Sequence, residues 1–396
     1  MKLTATLALA AGLAIPALAP NVAEAADCFI LVHGNKGENL YANPAEAVKY
    51  WSELNGASTP TNFINVVTAG TAHYGIVRWN STTSTFIPFW HDEAAGEVAR
   101  QIEKIQLNKT VNGSGNATAA PGQLVGDGFA HDRQCVVGDK FYVIAHSQGA
   151  QVMTYINGNS KSTDPNFNKS HIAFDATRDA RDLTPVKDAK GNIVSYKLYS
   201  NTKSAPFSSI MTKVTAVITI GGAINGTEGM DDVCNGGLDA TLLSLVGKTC
   251  VPSLQTYARY NPSSFTGPSM LRPTYNLGGY GDTPISYTTL TGEDDGVVNL
   301  ASQMNCVGDP TRDLENDLKE WWYGVTVHFT CNGANKRHSN SFNLATINIT
   351  HNAEVTAAIP TFGSSWTHNM KAASVLNCGD GKNVPETIRA CLTQIK

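Results

Sequence analysis

Phe141-Tyr142-Val143-Ile144-Ala145-His146-Ser147-Gln148-Gly149-Ala150 decides how the rest of this chain is read. An apolar, β-prone run ends in Ala-His-Ser-Gln-Gly, and a second apolar stretch, Ala150 to Ile156, follows it. That is the layout of a nucleophile elbow, in which a strand turns sharply into a helix and lifts one serine hydroxyl clear of the sheet. The strained turn brings backbone atoms close together, so small residues are needed two positions before and after the serine. Gly149 meets that need on one side, and Ala145 stands where a first glycine is usual. The strand before and the helix after give the short pattern its weight.

Working outward, Cys28 to Val32 is a short continuous apolar run, as expected for a strand buried on both faces of a parallel sheet. It ends in a turn, His33-Gly34-Asn35. Asn43-Pro44 reads as a helix cap with a first-turn proline, opening a helix to about Leu54. Tyr74 to Trp79 reads as a strand. Asp92 can cap a helix whose apolar positions Val98, Ile102 and Ile105 recur at helical spacing. Residues 108–128, rich in Gly, Asn, Thr and Ala, read as a loop. Val214 to Ile220 gives another buried strand, ending in Gly221-Gly222. Ile285 to Leu290 and Leu344 to Thr350 read as the last strands. Strands alternating with helices predict an α/β fold, with a mostly parallel central sheet and helices on both faces. The polar stretch 158–205, with a hairpin around Lys190-Gly191-Asn192, is expected to form a cap or lid insertion.

The chain has 396 residues and a formal net charge of −4, with no basic run. Nucleic acid is therefore not an expected partner. Residues 1–26 read as a signal peptide: Met1-Lys2, an apolar stretch from Leu7 to Ala19, and the small-x-small site Ala23-Glu24-Ala25. Residues 27–396 then form one catalytic domain. Pro16 and Pro20 interrupt the short apolar run, so no stable membrane anchor is expected. The eight cysteines include no Cys-x-x-Cys pair. An even count in an exported chain predicts disulfides, while their connectivity does not follow from sequence; local loops suggest Cys234–Cys250, Cys306–Cys331 and Cys378–Cys391, and two strand starts suggest Cys28–Cys135. Seven Asn-x-Ser/Thr sites, among them Asn80, Asn112, Asn225 and Asn348, are acceptors for glycosylation in a host that performs it. Nothing in the sequence sets the oligomeric state.

A serine hydroxyl is a weak nucleophile and needs a base, and the base needs an orienting acid. In the fold that uses this elbow the chain order is Ser, then Asp or Glu, then His. After Ser147, Asp294 and Asp295 both precede Gly296-Val297-Val298, and Asp295 is preferred as the acid. The later histidines are His328, His338, His351 and His368. His351 follows the expected last strand. His368, in Trp366-Thr367-His368-Asn369-Met370, leads into an apolar helical stretch and is preferred as the base. The oxyanion hole needs two backbone donors aimed where charge develops. Gln148, the residue after the nucleophile, supplies one, and Asn35, in the turn after the first strand, the other.

These islands resemble secreted bacterial α/β-hydrolases of the lipase superfamily. They are His33-Gly34-Asn35-x-x-Glu38-Asn39, Ala145-His146-Ser147-Gln148-Gly149, Ile220-Gly221-Gly222-Ala223-Ile224-Asn225-Gly226 and Gly292-x-x-Asp295-x-Val297. Within that superfamily they resemble the single-domain extracellular poly(3-hydroxybutyrate) depolymerases with a lipase-like box. The chain has Gln148 where that box carries methionine, and a long polar insertion after the elbow. In that branch the histidine follows the last strand after a long excursion, which also favours His368. The resemblance implies an α/β-hydrolase fold and a secreted serine hydrolase of carboxylic esters. Its substrate is then an acyl ester or lipid, with a polyester as the alternative. No cofactor is implied. A structural calcium has only the analogy of some lipases, and no ligand loop for it is visible.

Overall fold

The computed structural model describes residues 25–35, 50–51, 62–77, 79, 89–90, 92–107, 123–125, 128–130, 133–161, 170–173, 184–187, 189, 193–197, 204–235, 250–251, 254–255, 269–279, 298, 300–306, 336–347 and 384–395. Along the chain come β1 (Asp27–Val32), α1 (Asn62–Val67) and β2 (His73–Val77). A π-helical turn, Asp92–Gly96, leads into α2 (Glu97–Gln106). A small ribbon of β3 (Gln123–Val125) and β4 (Gly128–Ala130) precedes β5 (Lys140–His146) and α3 (Gln148–Lys161). Then follow β6 (Ser170–Ile172), β7 (Thr184–Lys187), β8 (Ile193–Lys197), β9 (Ser204–Pro206) and α4 (Ser208–Met211). The remainder is β10 (Val214–Ile220), α5 (Glu228–Asn235), β11 (Ser269–Gly279), α6 (Leu300–Gln303), β12 (Ser339–Ile347) and α7 (Val384–Cys391).

Six strands form one sheet in the order β12-β11-β10-β5-β1-β2, and every pairing in it is parallel. Alternation along each strand sorts the side chains onto two faces. Ile30, Val32, Val143, Ala145 and Val217 pack under Val98 and Ile102 of α2 and Val152, Met153 and Ile156 of α3. Phe29, Leu31, Tyr142, Ile144 and Ile218 pack against Phe63 and Val67 of α1 and Val384 and Ile388 of α7. Both faces are covered, which is why β1, β5 and β10 are continuous apolar runs rather than alternating ones. With the serine turn at its carboxyl edge, this parallel sheet has the architecture of the α/β-hydrolase fold.

Several sequence expectations shift in register. The last strand is Ser339–Ile347, starting five residues before the expected Leu344. The place beside β10 is taken by Ser269–Gly279, an eleven-residue strand that the sequence reading missed. The expected strand at 285–290 lies outside the described residues. So do residues 1–24 of the expected signal peptide and most of the helix expected from 44 to 54. The hairpin around Lys190-Gly191-Asn192 is present as the antiparallel pair β7–β8.

Cys28–Cys135 and Cys234–Cys250 are disulfide-bonded as expected. Cys306 and Cys391 are also in disulfides, with partners outside the described residues. Among the described residues no helix is long and apolar enough to cross a membrane. Asn225, one of the glycosylation candidates, is buried and donates its side-chain amide to the Cys306 carbonyl (3.1 Å). In the folded protein it is not an accessible acceptor.

Both ends of the 158–205 insertion sit at the amino edge of the sheet. α3 runs antiparallel to β5 and ends beside the early part of β11, where Asn157 bonds Thr274 and the Arg272 backbone. β9 pairs with β6 and leads through α4 directly into β10. His171 of β6 reaches Glu103 of α2 at 3.1 Å and stacks on Phe207. Within this insertion, the residues between β6 and β9 are the part that leaves the amino edge and returns to it.

A polar network ties β11, α6 and β12 together. Asn276 donates to Ser341 and accepts from Thr219, each at 2.8 Å, and Asn305 donates to Ser341 (3.0 Å). Lys336 Nζ–H groups donate to the Met304 carbonyl and to Asn343 Oδ1. Burial lowers its pKa from 10.5 to about 7. Between those values the unfolded chain holds a proton that the folded chain has released, so stability rises with pH. The contribution is fully present above 10.5 and lost as pH falls through about 7. In urea unfolding from pH 7 to 10, wild type should therefore gain stability relative to Lys336→Met as pH rises. Parallel curves for the two proteins would contradict the assignment.

Candidate active site

Ser147 follows the last residue of β5 and has φ +54, a left-handed backbone that costs a non-glycine residue about 1–2 kcal/mol. Its neighbours hold it there. The Ser147 amide donates to the Ile220 carbonyl at the end of β10 (3.0 Å), and the Ser147 carbonyl accepts from the amides of Ala150 (3.0 Å) and Ala223 (3.1 Å). The glycines nearby are dictated by contact. A Cβ at Gly149 would stand 2.5 Å from the His33 carbonyl oxygen and 2.7 Å from that of Val32. At Gly222 it would meet the Ala150 methyl at 2.8 Å, and at Gly34 it would meet Ser147 Cβ at 2.5 Å and Oγ at 3.0 Å. Three chain segments thus close on the serine: the turn after β1, the elbow itself, and the turn after β10. Ala145, at the position where the motif usually has glycine, is fully buried under the helical layer.

The two expected oxyanion donors lie beside this hydroxyl. Gln148 opens α3, so its amide has no acceptor within the helix and sits at the positive end of a 14-residue dipole. Asn35 lies in the turn carrying Gly34. Its side-chain amide donates to Gln148 Oε1 at 3.0 Å, which couples the two donor residues directly.

His33 fixes the other side of the turn. Its Nε2 accepts from the Trp79 amide (3.3 Å), so the proton is on Nδ1 and is donated to the Gly34 carbonyl at 2.7 Å. The His33 carbonyl in turn accepts from the Trp79 indole at 3.0 Å, and the two rings stack with centroids 5.5 Å apart. The Gly34 carbonyl and the Asn35 amide belong to one trans peptide unit and point in opposite directions. Pinning the carbonyl on His33 therefore aims the Asn35 N–H away from it.

The structure brings Ser147, Gln148 and Asn35 together. Asp294, Asp295, His328, His351 and His368 lie outside the described residues. His338 is described, and its placement rules it out as the base. It precedes β12, three strands from β5, or roughly 14 Å sideways at about 4.8 Å per strand. It is also at the amino edge, while Ser147 is at the carboxyl edge. His338 is buried and pairs through Nδ1 with Asn305 Oδ1 at 2.9 Å. Burial, and then the charge of Arg337, lower its pKa to about 4.

Residues that the sequence reading left without a role also stand here: His33 as a loop brace, Trp79 as its partner, and Tyr50 and His146 beside Gly34. His33 was in view within the His-Gly-Asn turn, whereas nothing local marks Tyr50 or Trp79. Among the described residues, the one group of three potential ligands close enough for a metal is Cys28, Cys135 and Asp139. Both of those sulfurs are joined in a disulfide, so the group offers no thiolate.

No protein-family model matches the sequence, and no curated protein matches it. Among solved structures, the chain is distantly similar to several bacterial lipases and esterases. Bacillus licheniformis lipase BlEst2 in mature form is 11% identical over 84% of this chain and 88% of that one, with a TM-score of 0.42. EstA from Clostridium botulinum is 14% identical over 83% of each chain, at 0.41. Staphylococcus hyicus lipase is 14% identical over 84% and 89%, at 0.35.

If the left-handed turn at Ser147 is strained, glycine should relieve what alanine cannot. Ser147→Gly should be more stable than Ser147→Ala by about 1 kcal/mol in urea unfolding. Equal stabilities would remove the strain argument.

Proposed function

We propose that this chain is a serine hydrolase that cleaves carboxylic esters through an acyl-enzyme. The observation that carries the reading is the left-handed Ser147 turn, with Gly34 packed against the serine side chain and the helix N-terminus immediately following. Such a hydroxyl is presented to a substrate carbonyl beside two backbone donors, and this is the arrangement that acyl transfer requires.

In the mechanism, Ser147 Oγ attacks the ester carbonyl and the amides of Gln148 and Asn35 hold the oxyanion. His368 takes the serine proton and returns it to the leaving alcohol. Asp295 orients the imidazole and stabilises its charged form. Water then attacks the acyl-enzyme and regenerates the serine. The roles of His368 and Asp295 rest on the chain order of the fold, with His351 and Asp294 as their rivals. The substrate is an acyl ester, soluble or emulsified, with the residues between β6 and β9 as the proposed cover. Export as a mature chain beginning near residue 27 is consistent with the disulfides, which persist in oxidising compartments.

A fluorophosphonate probe should label the wild-type protein at Ser147, and Ser147→Ala should remove both the label and at least about a thousandfold of ester turnover. His368→Ala and Asp295→Asn should fall toward the same floor, while His351→Ala and Asp294→Asn retain most activity. Near-wild-type turnover by Ser147→Ala would remove the reading. The opposite ranking within either pair would reassign only the base or the acid. Clearing of a poly(3-hydroxybutyrate) film with negligible hydrolysis of emulsified esters would transfer the substrate to polyesters.

A further inference from the structure

Gly34 presents a conflict. Its closeness to Ser147 leaves no room for a side chain, so the position next to an oxyanion donor must be glycine. Glycine is also the residue with the most backbone freedom. A donor that must not move is thus attached to the most permissive link in the loop. The structure answers with side chains on both backbone groups of Gly34. His33 Nδ1 holds the carbonyl, and Tyr50 Oη accepts the amide proton at 2.8 Å.

Tyr50 does more than accept. Its oxygen lies 2.6 Å from Nδ1 of His146, the residue directly before the nucleophile. The phenol oxygen accepts from the Gly34 amide and shares a second hydrogen bond with His146 Nδ1, whose direction follows the imidazole tautomer. The ring of Tyr50 lies edge-on between two imidazoles, with centroids 5.8 Å from His33 and 5.8 Å from His146. Behind it, Trp51 is fully buried and packs on Phe63 of α1 at 5.2 Å. The phenol is thereby held from the ring side as well as from the hydroxyl.

We infer that Tyr50 is a positioning residue for the oxyanion hole, tying the Gly34 turn to the elbow strand through the chain Gly34 N–H, Tyr50 O–H, His146 Nδ1. This rests on the reading of Ser147 as the nucleophile. The two clamps act on the two sides of one glycine: Tyr50 fixes the peptide before Gly34, and His33 fixes the peptide after it. Together they set both dihedrals of Gly34 and so the direction of the Asn35 N–H. The link to His146 makes the turn follow the elbow itself, so the two donor amides keep their spacing. The benefit falls on the transition state, in which the oxyanion is present, and not on ground-state binding.

Tyr50→Phe deletes only the hydroxyl. It should lower kcat by about 10–100-fold, below the hundred- to thousandfold cost of removing an oxyanion donor outright, with KM within about twofold. Affinity for an alkyl boronic acid, which forms a tetrahedral anion on the serine, should fall by the same factor. His146→Leu should match Tyr50→Phe. His146→Asn keeps an acceptor near the Nδ1 position and should lose less. The double variant Tyr50→Phe/His146→Leu should be no worse than either single one, because both break the same link. Thermal midpoints of the single variants should show that each is folded. Full kcat and unchanged boronate affinity in Tyr50→Phe would overturn the inference, and so would a loss confined to KM. If Ser147→Ala abolishes labelling while Tyr50→Phe is unimpaired, only the clamp fails. If Ser147 is not the labelled residue, the underlying reading fails as well.

Discussion

A strand that hands its chain directly to a helix packed on the same sheet has one residue in which to reverse. In this chain Ser147 takes that position at φ +54. The left-handed turn is unfavourable for serine, and it persists because three segments converge on it. The end of β10 accepts its amide, the turn after β10 donates to its carbonyl, and Gly34 occupies the space beside its side chain. The close approaches that require Gly34, Gly149 and Gly222 are consequences of that single turn. A helix that starts at Gln148 also leaves its first backbone donor without an acceptor inside the helix.

The sequence was legible where the chain is apolar and locally continuous. Cys28–Val32, Phe141–His146 and Val214–Ile220 are central strands covered on both faces, and each could be read as a run. β11 could not. It contains Arg272, Pro273, Asn276, Gly278 and Gly279, residues that locally signal a turn or a loop. They are tolerated because their polar groups have partners: Arg272 bonds the Met211 carbonyl (2.8 Å), and Asn276 bonds Thr219 and Ser341. β12 begins before its apolar part for the same reason, since Ser341 lies in that network. Where a strand is stabilised by buried hydrogen bonds as well as by apolar contact, hydrophobic periodicity underreports it.

The site divides along similar lines. The juxtaposition of Ser147, Gln148 and Asn35 was legible because each lies in a short motif whose geometry is local. The braces were not. Tyr50 and His146 are 96 positions apart, and Asn35 and Gln148 are 113 apart. No spacing rule joins such residues before the strands are in register. Register also does what chain order cannot in separating the late histidines. His338 satisfies the order Ser, acid, His, yet its position before β12 puts it three strands away at the opposite edge.

That opposition of edges organises the rest of the molecule. At the amino edge, Cys28–Cys135 joins the starts of β1 and β5 across 107 residues, and His73 pairs with Asp139 at 2.7 Å. Asp139 also accepts from the Val136 amide (2.8 Å), and His171 secures the β6–β9 ribbon to α2. These contacts fix strands and layers without reaching the serine. At the carboxyl edge, binding groups are set on turns that leave the strands, as is general for parallel sheets. A turn can present backbone amides to a substrate, but it lacks the neighbours that hold a strand. The Gly34 turn meets that deficiency with side chains that make hydrogen bonds while packing as rings: His33 on Trp79, and Tyr50 against both imidazoles. Aromatic groups suit this task, because one residue supplies a rigid apolar body and a directional polar tip at low entropic cost. A loop braced in this way can hold its backbone amides almost as rigidly as a helix does, and that equality is what the proposed oxyanion hole, shared between a loop amide and a helix amide, would need.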